Sequence, residues 1–472
     1  MQENDVPLCV DLDGTLVHTD LLYESTLALL RRNPLYLLLL PVWLLRGKAH
    51  LKREIARRVT LDVAHLPYDT RVLAWLHGMH ARRCVLCSAS DVVLAEAVAA
   101  HVGGFERVLG SDGERNLAGA RKAEALVALY GERGFDYVGN ATPDLAVWSH
   151  ARETIVANAS RALLRRLGGR RTIARVFESR GGFVRAALRA LRPHQWSKNL
   201  LVFVAAIAAH RILDPLAWRA TVLAFVAFCL CASGAYVLND LVDLDADRRH
   251  PRKRARPFAA GRLPIAAGLV AAPVLTFAAF AVALLLPPRF ALVLLVYAAT
   301  TLAYSLLLKR IVVVDVLVLA ALYTLRIVAG AVAIPVEASG WFLSFALCLF
   351  LSLAMLKRYA EAHHVAADGH AAIAGRGYRA ADLAWIGRSG MAAALVCLVV
   401  LAFYIDSTKS AALYRHPHWL WLLLPLLAGW LARVWALARR GRMHDDPVVF
   451  ALTDVPSLAV LGGFAATVAL AV

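Results

Sequence analysis

Seven cysteines in 472 residues, scattered singly apart from Cys84 and Cys87, are too few and too odd in number for a disulfide-stapled fold, and they fit a reducing compartment. Cys84 and Cys87 have the spacing of a redox or zinc pair. They fall, however, in the strand-like run Cys84-Val85-Leu86-Cys87, where alternation sends the two side chains to opposite faces. No leader peptide is expected either: Met1 to Pro7 is polar, and the first apolar run, Val6 to Leu12, carries Asp11 and ends in Asp13-Gly14. The N-terminal part is therefore expected to stay in the cytoplasm. Acid is scarce against base, 34 Asp and Glu facing 52 Lys and Arg. The excess base is local. Ten arginines lie between Arg161 and Arg192, and a second cluster runs from Arg248 to Arg256 between two apolar runs. Basic clusters beside a membrane are drawn to anionic lipid head groups, so membrane lipid is the expected partner and nucleic acid is not.

Charge is also missing from long stretches after Lys198. Up to about Arg192 the apolar residues come in short runs between charged ones, as in a soluble fold. Beyond Lys198 the runs approach or reach the ~20 residues a spanning helix needs, in a chain that is 60% hydrophobic with a mean hydropathy of +0.58. Nine spans are expected, near 198–213, 216–238, 264–286, 289–308, 312–334, 341–356, 390–404, 418–437 and 455–472. With the N-terminus inside, the inside loops hold Arg248 to Arg262, Lys309-Arg310, Lys357 to Arg388 and Arg439 to Arg442. The outside loops hold scattered cations such as Arg211 and Lys409, as the positive-inside rule asks. The expectation is an integral protein of the inner (plasma) membrane whose N-terminal domain and active sites face the cytoplasm. Leu35 to Leu45, LYLLLLPVWLL, is too short to span and is broken by Pro41. It reads either as a buried helix of a cap or, given basic residues at both ends, as an interfacial helix resting on the bilayer.

The second expected span ends in Asn239-Asp240-Leu241-Val242-Asp243-Leu244-Asp245-Ala246-Asp247. Asn239, Asp243 and Asp247 recur every four residues, so a helix lines them on one face with Asp240 beside them. Carboxylates so placed repel unless a cation sits between them. Oxygen-only ligands in a partly hydrated site suit Mg²⁺, which takes its remaining ligands from water and substrate phosphates. Lys253, Arg254 and Arg256 follow at once and can reach phosphate oxygens. Acid for a metal beside base for phosphates suits a diphosphate substrate; the alternative is a solvated helix end that simply stops the span.

NDLVDLDAD resembles the acidic motif of the UbiA superfamily of membrane transferases. Within it, the stretches LRPHQWSKN (191–199), NDLVDLDADRRHPRKRARPFAAG (239–261), YSLLLK (304–309), DVLVLAALYTLRIVAGA (315–331), KRYAE (357–361), GRGY (375–378) and DDPVVFALTD (445–454) are similar to decaprenyl-phosphate phosphoribosyltransferases. The resemblance implies a nine-helix fold and Mg²⁺-dependent transfer of ribose 5-phosphate from phosphoribosyl diphosphate to a polyprenyl phosphate. It implies metal binding by Asp240, Asp243 and Asp247 with Asn239 beside them. Substrate contacts are expected from Lys198, Lys253, Arg254, Arg256, Tyr304, Lys309, Arg326, Lys357 and Arg358, with Tyr323 near the cavity. One departure matters. Where aromatic-acceptor prenyltransferases carry a second DxxxD motif, this chain has Lys357-Arg358-Tyr359-Ala360-Glu361, which suits a phosphate acceptor better than a prenyl diphosphate on a second metal.

In the N-terminal part, Val6 to Leu12 reads as a buried strand delivering Asp11 and Asp13 to its C-terminal end, where open α/β sheets bind ligands. DLDGT there, Ser88 after the run Cys84 to Cys87, Lys122 in GARKAEAL, and Gly139-Asn140 through Asp144 after Asp136 to Val138 resemble, in order, the motifs of the haloacid dehalogenase superfamily. The resemblance implies a Rossmann-like α/β domain over residues 1–160 with a helical cap near 20–70. A basic linker (161–192) and the all-α membrane domain (193–472) follow. It makes Asp11 the nucleophile, Asp13 the acid and base, Ser88 and Thr15 phosphoryl contacts, Lys122 a charge stabiliser, and Asp11, Asp13 and Asp144 the Mg²⁺ ligands. Asn140 departs from the pattern, standing where an Asp is expected, and leaves the metal with less charge. Three other readings stay open: a prenyltransferase using a prenyl diphosphate and a small aromatic acceptor, a regulatory N-terminal domain without turnover, and a transporter. No inverted repeat supports the last.

Overall fold

The computed structural model describes residues 6–79, 82–168, 172–179, 181–211, 213–367, 376–443 and 447–472; Gly375, Asp445 and Asp446 of the motif stretches lie outside them. The chain forms two compact units, one of Met1–Leu191 with Tyr236–Ala272, the other of Arg192–Ala235 with Pro273–Val472.

The first unit is built on a six-stranded parallel sheet: β1 (Leu8–Val10), β2 (Cys84–Asp91), β3 (Phe105–Ser111), β4 (Asp136–Gly139), β5 (Thr154–Ala157) and β6 (Ile173–Phe177). Their order is β3-β2-β1-β4-β5-β6, with Leu8 opposite Cys84 on one side and Asp136 on the other. Alternation along the short apolar strands fills two layers. Leu8, Val10, Cys84 and Leu86 pack on one face, and Cys9, Val85, Cys87 and Tyr137 on the other, so the Cys84 and Cys87 side chains do diverge. The strand order reverses between β1 and β4, which opens a crevice at their C-terminal ends. Two local expectations change. β2 does not stop before Ser88 but runs on to Asp91, and the stretch 161–192, read as a linker, contributes β6 to the sheet edge.

The cap follows β1 as α1 (Leu21–Arg32), a 3-10 turn Pro34–Leu38, α2 (Leu39–Leu45) and α3 (Lys48–Ala56). Asp20 starts α1 by accepting the Leu22 N–H at 2.8 Å. Asp69, buried where the chain returns to the core, accepts from Arg71 and from Asn158 beyond β5.

The second unit is helical. Among the described residues seven helices of the chain are long and apolar enough to cross a membrane, or eight if the bent pair at the C-terminal end counts as one span, against the nine expected: Pro215–Val242, Ile265–Ala283, Pro288–Leu306, Val314–Ala333, Gly340–Ala367, Ala380–Ile405 and Pro417–Arg439. The expected first span is instead a 3-10 stretch, Pro193–Phe203, and a short helix, Val204–Ala208. Its polar residues Lys198 and Asn199 are buried against protein, which leaves too short an apolar remainder to span. The expected last span is one arm of a pair, Pro447–Thr453 and Val455–Ala471, bent by 80°. Asp454 makes the bend: it caps the second arm through the Ser457 N–H at 3.0 Å and takes Arg433 at 2.7 Å.

Small residues let these helices approach closely. A Cβ on Gly330 would stand 2.0 Å from the Val202 carbonyl oxygen, whereas one on Gly462 would meet nothing within 4 Å. Gly330→Ala is expected to cost about 1–3 kcal/mol through backbone displacement, read as a lower unfolding temperature in detergent, while Gly462→Ala leaves that temperature unchanged or slightly raised.

Two candidate active sites

The first site lies at the β1–β4 crevice. Asp11, just past β1, is buried and accepts Lys122 Nζ at 2.6 Å and the Thr15 hydroxyl at 3.3 Å. Lys122 also donates to the Tyr137 hydroxyl at 3.0 Å, which donates to Asp144 at 2.8 Å. The other Asp144 oxygen accepts the backbone N–H groups of Asn140 and Ala141, both at 2.9 Å. Burial pushes the Asp11 carboxyl up to about 7, against the pull of Lys122. Burial would lower the Lys122 ammonium, but Asp11 and Asp144 beside it raise it above its ordinary value. Asp13 accepts Ser90 Oγ at 2.7 Å, Ser88 Oγ at 3.2 Å and, on its other oxygen, the Leu21 N–H at 2.9 Å. The Asn140 amide lies against Gly14, where a Cβ would come within 2.0 Å of it.

Every residue expected in this site is therefore at the crevice. Sequence reading passed over three others. Tyr137 ties Lys122 to Asp144, and its place two residues before Gly139 on β4 was the available signal. Ser90 holds Asp13. Lys52, reaching from α3, donates to the Ala89 carbonyl at 2.6 Å and to Asn116 Oδ1 at 2.7 Å, and no local motif marks it.

The second site starts where the Pro215–Val242 helix ends. Asp243 breaks the helix and begins the next, Leu244–Arg249, but the one-face stacking survives the break: the Asp243 N–H reaches the Asn239 carbonyl at 2.9 Å and the Asp247 N–H the Asp243 carbonyl at 2.8 Å. Asn239 Nδ2 donates to Asp243 at 3.1 Å. Acids at the C-terminal end of a helix face the negative end of its dipole, so cations must answer them. Arg256 does so, bridging the buried Asp240 at 3.2 Å and Asp247 at 2.6 Å. Burial raises the Asp247 carboxyl even so. Lys253 and Arg254 stand on the exposed turn Lys253–Ala255.

The oxygen donors of both sites suit Mg²⁺. Among the described residues no three acidic, His or Cys side chains converge closely enough to enclose a metal by themselves. An ion at either site would therefore complete its shell with water and substrate phosphate, the usual habit of Mg²⁺.

The acidic segment belongs to the first unit, and α1 fastens it there. Glu24 and Arg248, 2% and 4% exposed at the side chain, form a two-pronged pair at 2.5 and 3.0 Å. Thr19 Oγ1 donates to Glu24 at 2.6 Å, and Arg248 Nε donates to the Ala259 carbonyl at 3.2 Å. Arg31 pairs with Asp245 and Arg249 with Asp62. One helix thus meets Asp13 through its first N–H and the acidic segment through its body.

Two buried arginines of the second unit are held by protein groups. Arg326, expected to contact substrate, is buried and spends its guanidinium on Asn199 Oδ1 (2.9 Å), the Tyr297 hydroxyl (2.9 Å) and the Leu322 carbonyl. Lys198 and Tyr323 lie beside it, Lys198 Nζ 6.0 Å from the Tyr323 ring, which stacks on Phe350. Arg358, placed in a phosphate-facing role by its motif, is instead fully buried between Asp315 and Glu361, with Tyr304 and Arg376 completing the cluster around Asp315. Asp315 and Arg376 were missed, although a lone acid opening a 20-residue apolar helix is itself a signal. Lys357 precedes Arg358 on the same helix, and Lys309 lies in the turn Leu308–Arg310.

Replacing one partner of the buried pair strands the other. Glu24→Gln is expected to destabilise the protein by about 3–5 kcal/mol, and the double variant Glu24→Leu with Arg248→Met to recover most of that loss, both read from thermal unfolding in detergent.

The profile of the UbiA prenyltransferase family matches residues 200–470. An uncharacterized protein, y4nM, of Sinorhizobium fredii is 37% identical over 463 residues, covering 96% of this chain and 89% of that protein. A decaprenyl-phosphate phosphoribosyltransferase of Mycobacterium tuberculosis is 34% identical over 281 residues, 57% of this chain and 89% of that enzyme. A solved structure of a UbiA homolog from Archaeoglobus fulgidus bound to GPP and Mg²⁺ is similar at a TM-score of 0.48 and 17% identity, over 60% of this chain and 99% of that one.

Proposed function

The chain belongs to the UbiA prenyltransferase family, and from that premise we propose that its membrane part transfers 5-phosphoribosyl from phosphoribosyl diphosphate to a polyprenyl phosphate while its N-terminal domain, of haloacid dehalogenase type, removes the 5-phosphate. The observation that carries the first half is the 34% identity to the mycobacterial phosphoribosyltransferase over nearly all of that enzyme's length. The second half rests on the Asp11–Lys122–Tyr137–Asp144 chain of hydrogen bonds beside Asp13. Both sites would work on the cytoplasmic side of the inner membrane, where the basic loops belong under the positive-inside rule.

In the transferase, Asp240, Asp243 and Asp247 would hold Mg²⁺, with Asn239 orienting Asp243. Mg²⁺ supplies charge neutralisation to a departing diphosphate. Lys253 and Arg254 suit the diphosphate oxygens, and Arg256 keeps two of the carboxylates in place. Lys198, Lys309 and Lys357 would position the acceptor, whose phosphate is already an anion and needs no strong base. Arg326, Arg358 and Tyr304 act as positioning residues within their buried clusters. In the phosphatase, Asp11 would attack phosphorus, with Asp11, Asp144 and the backbone at Asp13 holding Mg²⁺. Asp13, held by Ser88, Ser90 and the Leu21 N–H, would give its proton to the departing ribose oxygen and later take one from water. Thr15, Ser88, Asn140 and Lys122 line the phosphoryl group, and Lys122 offsets the crowded negative charge.

Detergent-solubilised protein given Mg²⁺, polyprenyl phosphate and ribose-labelled phosphoribosyl diphosphate is expected to move label into lipid. Asp243→Asn lowers that rate by on the order of 10²-fold, whereas Asp11→Asn leaves it unchanged. Label that stays in water, with transfer instead from a prenyl diphosphate to an aromatic acceptor, would replace the donor in this account. Phosphate release from ribose 5-phosphate is expected to fall by at least about 10³-fold in Asp11→Asn and to persist in Asp243→Asn.

A further inference from the structure

The apolar run of the cap packs on one side only. Tyr36, Leu40 and Trp43 turn inward onto Leu29 and Ile55, with the Arg58 guanidinium over the Trp43 ring at 4.9 Å. The outward face is bare: Leu35 is 68% exposed, Leu38 72% and Leu45 88%, with Leu37, Val42 and Leu44 beside them. A contiguous apolar face of this kind, on a segment of 12 residues too short to span, marks an interaction surface.

Two observations say what covers it. Exposed cations flank it, Arg32 before and Arg46 and Lys48 after, the pattern of an element lying in the plane of anionic head groups. The second is its attachment. Arg31, three residues before Pro34, pairs with Asp245 and donates to the carbonyl of Val242, the last residue of the Pro215–Val242 membrane helix. The apolar face therefore begins beside the C-terminal end of an apolar helix long enough to cross a membrane. We propose that residues 34–45 sit in the head-group and acyl boundary of the membrane the chain spans, with Arg32, Arg46 and Lys48 on anionic lipid. The cap is thereby held at the lipid surface, where a substrate with a polyprenyl tail would present its sugar phosphate. The inference does not depend on either catalytic assignment.

The test uses the full chain in nanodiscs of phosphatidylcholine with and without phosphatidylglycerol. Leu45→Cys and, as a control on the exposed face of the sheet domain, Glu124→Cys are labelled with bimane, with unlabelled wild-type protein carried through the same labelling as the blank. Lipids spin-labelled near the head group are expected to quench the probe at position 45 severalfold more than that at 124, and aqueous iodide to do the reverse. Arg46→Gln with Lys48→Gln is expected to remove the added quenching that phosphatidylglycerol brings. Equal iodide access at the two positions overturns the proposal. So does a probe at 45 shielded from both quenchers, which places a protein surface or a second copy of the chain on that face.

Discussion

The Glu24–Arg248 pair is buried from water on both sides, and a buried ion pair is tolerated only where geometry and further hydrogen bonds answer each charge. Here Thr19 and the Ala259 carbonyl supply them. Much else depends on this contact. It fixes the segment bearing Asp243, Asp245 and Asp247 to α1, whose first N–H is bound to Asp13. Arg31 lies ten residues beyond Leu21, about 15 Å along the helix, so the two acidic centres are set a short helix apart in one compact unit. The mycobacterial relative matches only the membrane part of this chain. In this protein the partner for Arg248 comes from the N-terminal domain.

The same constraint shapes the interior of the helical unit. Asp315 and Arg358 are both fully buried, and Glu361, Tyr304 and Arg376 complete their hydrogen bonds. Arg326 is closed off by Asn199, Tyr297 and a helix carbonyl. Charge inside an apolar bundle is expensive and so is fully partnered. These hydrogen bonds tie Asp315, Arg358 and Arg326 to residues on neighbouring elements.

Local chemistry was the legible part. Asp11, Asp13, Lys122 and Asp144 were readable because each sits at a strand end or in a short motif, and the sheet brings all four to one crevice. The acidic face at Asn239, Asp243 and Asp247 was readable from its four-residue repeat, which outlasts the helix break at Asp243. Partnership was not legible. No spacing shows that Arg358 is spent on Asp315, 43 residues away, or that Glu24 waits for Arg248, 224 residues on. Span counting failed for a related reason. Hydropathy reports composition, whereas the burial of Lys198 and Asn199 inside a 3-10 stretch and the cap that Asp454 gives the Val455–Ala471 helix are packing and hydrogen bonding that composition does not record.

The central claim is that the two sites act in sequence on one lipid-linked sugar, and the mass of the lipid product tests it most directly. Wild-type protein given polyprenyl phosphate, phosphoribosyl diphosphate and Mg²⁺ should yield a polyprenyl phosphate bearing ribose without its 5-phosphate, with the 5-phosphate retained when Asp11 is replaced by Asn. A wild-type product that keeps the 5-phosphate through many turnovers would contradict the account.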